Sequence, residues 1–398
     1  MAVSGETGRD SRETSPPHES DKVTSVLLLS FTFAPDVGGI ETHLTDLVAE
    51  IKKRPFLRAF ICTCKPIVTP IRHYLRRECD GNVEIRRWWW FGGTCGGNIF
   101  RRLEPWPVLL FLYATPYFFV RALWFMAWRW RTIDVIHVHG LNMAFVGALL
   151  GWLFRKPVVM QTHAIYSFVP GSLFATVSRF VLCRMKRILA LSTASREELL
   201  SLGVPADRVG EFRYWIDLQA FAPNASERSD HASVLFVGRL IHIKGVAVVC
   251  ALAKRFPGVQ FVIAGDGPDR GIVDEACKAL PNLHMRGLVG NRDLPSLYRQ
   301  SHVTLVPSQY PEGFGRVICE SLACGTPVIA SDVGGIRDAM DETVGVFCRP
   351  DEESFAAALG ELLDDRSRWS RLQTNCRSFA AHRFSYANAD AIFALYDQ

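Results

Sequence analysis

What this chain lacks narrows it first. Its eleven cysteines form no C-x-x-C pair and no zinc-like spacing, which excludes small zinc modules and thioredoxin-type redox motifs. Several of them, such as Cys250, Cys319 and Cys324, stand in apolar runs and read as reduced core thiols of a cytosolic protein. No Asp-x-Asp occurs, so no metal site is expected. Residues 1–22 are rich in Ser, Glu, Asp and Pro and have no apolar stretch; they read as a disordered tail, not a signal peptide. No long internal repeat appears, and no nucleic-acid motif accompanies the basic residues.

What is present suits a two-domain chain. The chain has 398 residues, 48% of them hydrophobic, enough for two domains of ordinary size, each with a full core. The net charge of +5 hides a split: residues 1–216 hold 27 Lys and Arg against 18 Asp and Glu, whereas the remainder hold 18 against 22. Within 52–131 the count is 15 against 4, a concentration that implies a negatively charged partner. Trp88 to Phe91 and the sixteen uncharged residues from Pro105 to Val120 fall in this region, with Arg101, Arg102, Arg121, Arg129 and Arg131 and three further tryptophans around them. Internal prolines make the uncharged run too short and too broken for a clear membrane span. A buried helix, an interfacial helix and a span are the three readings; the basic excess favours the interfacial one, on an anionic membrane surface.

Several stretches carry chemistry. Val23 to Ser30 reads as a buried strand, followed by Gly38-Gly39 and a helix with Leu44, Leu47, Val48 and Ile51 at helical spacing. Strand, glycine loop and helix in that order form a phosphate-binding arrangement, although a tight turn also explains two glycines. In DVIHVHG, alternation places His137 and His139 on one face. A metal pair there lacks a third ligand. His163 follows the strand PVVMQ, and a polar residue at a strand's C-terminal end in a parallel sheet points to a ligand crevice. Arg239 and Lys244 lie five apart after the strand SVLFV; their cations suit a diphosphate, with a solvated charged loop as the alternative. Finally, PEGFGRVICESLACGTPVIASDVGG, from Pro311 to Gly335, reads as glycine loop, helix, strand and second glycine loop. Glu320 sits among apolar helix neighbours, where a carboxylate needs partners for its oxygens. A ribose diol supplies two donors; partial exposure or an arginine partner is the alternative.

Glu312-Gly-Phe-Gly, Glu320 eight residues on, Gly-Thr-Pro-Val-Ile-Ala-Ser and Gly-Gly together resemble the signature of retaining glycosyltransferases of family four. The resemblance implies the GT-B fold: two Rossmann-like domains, with parallel sheets, facing a cleft. Expected bounds are 23–216 for the first domain, including the apolar basic segment 88–131, 217–383 for the second, and a C-terminal helix in 384–398 crossing back. It also implies sugar transfer from a nucleotide diphosphate sugar to a glycan or lipid-linked acceptor, without a required cofactor. Gly38 and Gly39 then approach the diphosphate, as do Arg239 and Lys244 beside Gly238. Leu288 stands where the base is held, Phe314 and Gly315 belong to the donor loop, Glu320 takes the ribose, and His163 contacts the sugar. Glu312 orients the sugar hydroxyls as a catalytic residue, and His139 is an acceptor-side candidate. Tyr214, Trp215 and Ile216 replace the family's Asn-Gly-Val hinge. A sugar-nucleotide 2-epimerase of the same fold is the alternative activity, and a third reading is a non-catalytic protein that only binds sugar nucleotides. The location expected is cytoplasmic, peripheral at the inner face of a membrane.

Overall fold

The computed structural model describes residues 23–36, 38–67, 73–89, 99, 103 and 106–396. The tail 1–22 and the positions Trp90, Phe91, Arg101, Arg102 and Pro105 named above lie outside the described residues. Strands rich in Val, Ile and Leu and buried on both faces favour parallel sheets covered by helices, and two such sheets form. The first contains β1 (Thr24–Leu29), β2 (Leu57–Cys64), β3 (Arg77–Asp80), β4 (Val83–Trp88), β5 (Val135–His139), β6 (Val158–Gln161), β7 (Arg187–Ala190) and β8 (Val209–Glu211). Its order is β3-β4-β2-β1-β5-β6-β7-β8, all parallel except the β3–β4 pair. The second contains β9 (Ser233–Val237), β10 (Gln260–Ala264), β11 (Leu283–Gly287), β12 (Val303–Val306), β13 (Val328–Ser331) and β14 (Gly345–Cys348), in the parallel order β11-β10-β9-β12-β13-β14.

Helices cover both faces of the first sheet. Helix α1 (Gly39–Lys52) buries Leu44, Leu47, Val48 and Ile51 in a core that also takes in Tyr214, Trp215, Phe314 and Leu322, so one apolar body runs between the sheets. On the opposite face lie α2 (Pro107–Arg129), α3 (Leu141–Phe154) and α4 (Leu173–Leu182). Their inward residues, among them Phe118, Met126, Val146 and Leu182, form a separate core with Leu27, Phe60 and Ile136.

Helix α2 differs from the broken run expected from its prolines. It is continuous over 23 residues. Pro107 stands in the first turn, where its missing N–H costs nothing, and Pro116 lies on the exposed side of the helix. Ala114, Phe118, Ala122 and Met126 repeat every fourth residue and are buried, while Leu109, Leu112, Val120, Trp124 and Trp128 are exposed. By length and composition Leu109–Arg129 is apolar enough to cross a membrane, yet one face is packed on the sheet.

The chain's last segment meets the first sheet's helices. Arg54 on the loop after α1 donates to Asp390 at 2.8 Å and lies over the Phe393 ring, and the Tyr396 hydroxyl bonds His137 at 2.6 Å. Arg377 donates to the carbonyls of Leu218 and Phe221, both at 2.7 Å, fastening the connection between the sheets.

Both halves carry the same clamp. The Asn82 amide donates to the carbonyls of Ile51, Arg54 and Leu57, and the Asn282 amide to those of Ala253, Phe256 and Val259. Each asparagine precedes a strand and satisfies the end of a helix and the following turn. Because Asn282 is buried, Asn282→Ala leaves carbonyls without a donor. It is expected to lower the unfolding free energy by about 1–3 kcal/mol, measured by denaturant titration.

Candidate functional site

Parallel strands place their C-terminal ends on one rim, and the loops there form the crevice. Gly38 and Gly39 follow β1, His139 ends β5, His163 follows β6, and Arg239 and Lys244 follow β9. Glu312 lies in the loop after β12 and is joined to Gly334 by an isolated parallel bridge. The amide of Gly335 donates to the Glu312 carbonyl at 2.7 Å. Gly334 has φ +59°, and a Cβ on it would meet that same carbonyl oxygen at 2.4 Å, so glycine is required for the two loops to touch.

The charges pair closely. Both carboxylate oxygens of Glu312 accept from the Lys244 ammonium, one of them at 2.7 Å. Ser308 adds a bond to the carboxylate at 3.2 Å. From the other side, the Glu41 carboxylate folds over Gly38, where a Cβ would come within 2.4 Å of Oε2; beside Gly39 the space is open. Burial pushes the Glu41 carboxyl above its usual range, while a bond from Thr32 and the charge of Arg239 oppose the rise. The charge of Arg239 thus reaches the first turn of α1, on the opposite sheet. A Cβ on Gly238 would meet the Phe236 ring at an ordinary 3.6 Å, Gly315 caps the helix Arg316–Ala323 with φ 87°, and Leu288 is 53% exposed.

Three expected residues sit differently from the sequence reading. Phe314 is 1% exposed and meets the rings of Tyr214 and Phe384 edge-on; its side chain is core, because an aromatic between two glycines is the segment's only large apolar anchor. Glu320, 4% exposed, accepts from Tyr298 at 2.9 Å and from Arg316 Nε at 3.0 Å. The arginine pairing is therefore present, and each Glu320 oxygen already accepts one hydrogen bond. Arg316 stands one helical turn before it, the i,i+4 spacing that brings such pairs together. His139, expected toward an acceptor, is 5% exposed and lies behind His163.

The histidines form a chain, with His43, His137 and His139 buried and His163 half-buried. His139 Nδ1 meets His163 Nε2 at 3.1 Å, and His163 Nδ1 meets the Tyr214 hydroxyl at 3.3 Å. Both ring nitrogens of His163 are therefore engaged. What it turns to the donor loop is its main-chain carbonyl, 3.1 Å from the Cβ position of Gly313. His43 packs against Tyr214 and Trp215 with centroids 4.9 Å away in each case. Burial lowers the pKa of His43 and His139 well below 6.5 and those of His137 and His163 to about 3.

Sequence reasoning missed Arg316, Asp46, Glu41 and His43, and it read Tyr214 only as a departure from a hinge pattern. Arg316 Nη2 reaches Asp46 Oδ2 on α1 at 2.7 Å, so one guanidinium links both halves. Among the described residues no group of three His, Cys, Asp or Glu could hold a metal ion.

The histidine cluster sets a pH dependence. Each of its members binds a proton more readily unfolded than folded. Their contribution to stability is complete above 6.5 and is lost as pH falls from 6.5 toward about 3, by at most ~1.4 kcal/mol per pH unit per histidine. Thermal melts from neutral to acid pH are expected to show that slope, and His43→Leu to reduce it by about one proton.

Comparison with known proteins gives this crevice its context. The family model of glycosyl transferases group 1 matches residues 219–381, and that of a glycosyl transferase 4-like domain matches 38–215. A D-inositol 3-phosphate glycosyltransferase of Xylanimonas cellulosilytica is 30% identical over 295 residues, 65% of this chain and 70% of that protein. A human phosphatidylinositol N-acetylglucosaminyltransferase subunit is 27% identical over 350 residues, 84% of this chain and 67% of that protein. Among solved structures, Anabaena HepE in complex with UDP-glucose superposes with a TM-score of 0.72 at 18% identity, covering 93% of this chain and 98% of that one. These matches are to transferases and do not favour the epimerase reading. With two parallel sheets closing on glycine loops and paired cations, the chain belongs to the group 1 glycosyltransferases of GT-B fold and is a transferase that uses nucleotide-sugar donors.

Proposed function

We propose that this enzyme is a retaining hexosyltransferase that moves a hexose from a uridine diphosphate sugar to a lipid-linked or glycan acceptor at an anionic membrane surface. The observation that carries the reading is the Lys244–Glu312 pair, held against the Gly334-Gly335 loop through the Glu312 main chain. The UDP-glucose complex of HepE supports the donor class, and the likeness to the human phosphatidylinositol N-acetylglucosaminyltransferase supports a lipid acceptor.

In this reading the donor diphosphate enters beside Gly39 and takes Lys244 and Arg239 as counter-ions. Glu312, released from Lys244, accepts hydrogen bonds from the sugar hydroxyls and fixes the ring. The bond from the anomeric carbon to the diphosphate oxygen breaks while the positive side chains stabilise the charge on the leaving group. The acceptor hydroxyl attacks from the face the diphosphate leaves, and its proton passes to a phosphate oxygen, so configuration is retained. Arg239 and Lys244 supply the positive field, and the reading calls for no metal. Leu288 lines the base end, Gly238, Gly315 and the main-chain carbonyl of His163 shape the sugar end, and Tyr214 holds the His163 ring. Glu320 acts through Arg316, keeping the donor loop in register with α1.

UDP is expected to raise the melting temperature by mass action, and product analysis with UDP-hexoses, with and without lipid acceptors, identifies the transfer. Lys244→Ala is expected to lower kcat by roughly 10²–10³. Glu312→Gln is expected to lower kcat with little change in donor KM. An inverted product anomer, or a sugar covalently held on Glu312, would overturn the mechanism. Tyr214→Phe removes the hydroxyl partner of His163 and is expected to reduce kcat several-fold and shift its pH profile while leaving the melting temperature near that of the parent.

A further inference from the structure

Beside α2 is a cleft that the donor chemistry does not use. It encloses about 460 Å³ and is lined by Arg86, Arg121 and Arg129 together with Trp88, Trp124 and Trp128. A second cleft of about 300 Å³ shares Arg86, Trp88 and Arg121 with it and adds Arg76, Arg77 and Arg87. Two acids temper these six cations. Glu84 pairs with Arg77, Arg86 and Arg129 at 3.1, 2.7 and 3.4 Å, and Glu78 pairs with Arg87 at 3.0 Å. Arg121 has no carboxylate partner among the described residues; it lies over the Trp88 ring, 5.8 Å from its centroid. The cleft therefore keeps a positive excess and presents guanidinium forks, the donor geometry that suits a phosphate.

The surroundings are apolar. Trp124 is 68% and Trp128 75% exposed. The helical layer continues outward through Leu112 on α2, Trp152 on α3 and Leu173 and Phe180 on α4, all exposed. From Trp106 to Lys186 the chain holds eight Lys and Arg and one acid, Asp134, whose carboxylate accepts from the Ser25 amide at 2.9 Å. An apolar face edged by arginine and tryptophan and almost free of acids complements an anionic leaflet. Trp88 ends β4 on the rim that carries the catalytic loops, two strands from β1, a lateral step of ~10 Å at ordinary strand spacing.

The geometry points to a phosphate site of its own: the Arg86–Arg121–Arg129 cleft binds the phosphate headgroup of a lipid while the outer faces of α2, α3 and α4 rest on the bilayer. This rests on the membrane-acceptor reading given above and adds the groups that recognise the lipid. The cleft fixes the headgroup laterally, the tryptophans sit at headgroup depth, and the acceptor is presented to the rim holding Gly39 and Glu312.

Flotation of the full chain with two kinds of vesicle tests it: phosphatidylcholine alone, and phosphatidylcholine doped with phosphatidic acid. The parent protein is expected to float with the doped vesicles and far less with the others. Arg121→Gln, an exposed position outside the donor crevice, is expected to weaken binding to the doped vesicles about fivefold or more while leaving the melting shift produced by UDP unchanged. Leu173→Ser is expected to weaken binding to both vesicle types, since it alters the apolar face and no charged group. Free glycerophosphate that stabilises the parent but not Arg121→Gln would support the phosphate site and assign it to a free ligand as well as a lipid. Equal flotation of the parent and Arg121→Gln would overturn the proposal, as would a stable dimer that buries Trp124 and binds no vesicles. The UDP arm is read on the same samples, so a failure of the transferase reading shows separately from a failure of the headgroup site.

Discussion

One buried guanidinium holds the two halves in register. Arg316 donates to Glu320 within its own helix and to Asp46 on α1, and it is 8% exposed. A charge withdrawn from water this far costs several kcal/mol unless its partners stay in place. The helix that follows the Glu312 loop and the helix that follows the Gly38-Gly39 loop therefore stay together. The positions of the Glu312 loop and the Gly38-Gly39 loop depend on this contact, and Tyr298 donates to the other oxygen of Glu320.

Around that anchor the crevice balances its charges. Lys244 neutralises Glu312, and Arg239 offsets Glu41, which folds over Gly38. The Lys244–Glu312 pair is a direct contact, whereas Arg239 acts on Glu41 through its charge. The histidines behind this arrangement stay neutral because burial disfavours their charged forms, and their rings hold one another through His163. His163 thereby offers its carbonyl, not its ring, to the donor loop.

The opposite face of the first sheet follows a different physical rule. Helices α2, α3 and α4 bury one side in a core and leave large apolar residues on the other. A globular enzyme gains nothing from Trp124, Trp152 and Phe180 in water; beside a bilayer the same residues are favourable. This face and the Gly38-Gly39 loop belong to the same sheet, with the glycine loop and the C-terminal edge of β4 on a common rim.

Much of this was written locally in the chain. The strand from Thr24, the α1 periodicity through Leu44, Leu47, Val48 and Ile51, and the loop–helix–strand succession around Glu312 follow from spacing and turn chemistry, because neighbours in sequence make those structures. Gly325, with φ +75°, stands just past the end of the helix Arg316–Ala323, as a glycine at a helix terminus does. Helix α2 was harder to read: its prolines suggested a break, but one lies in the first turn and the other on the exposed side. Beyond neighbours one helical turn apart, such as Arg316–Glu320 and Arg54–Glu50, the partners of charged groups were not legible. Asp46 lies 270 residues from Arg316, and the hydroxyl that reaches His163 lies 51 residues away at Tyr214. Local pattern decided which elements form; only tertiary packing decided which buried charges meet, because a carboxylate or an imidazole takes its partner from whatever the fold brings within about 3 Å.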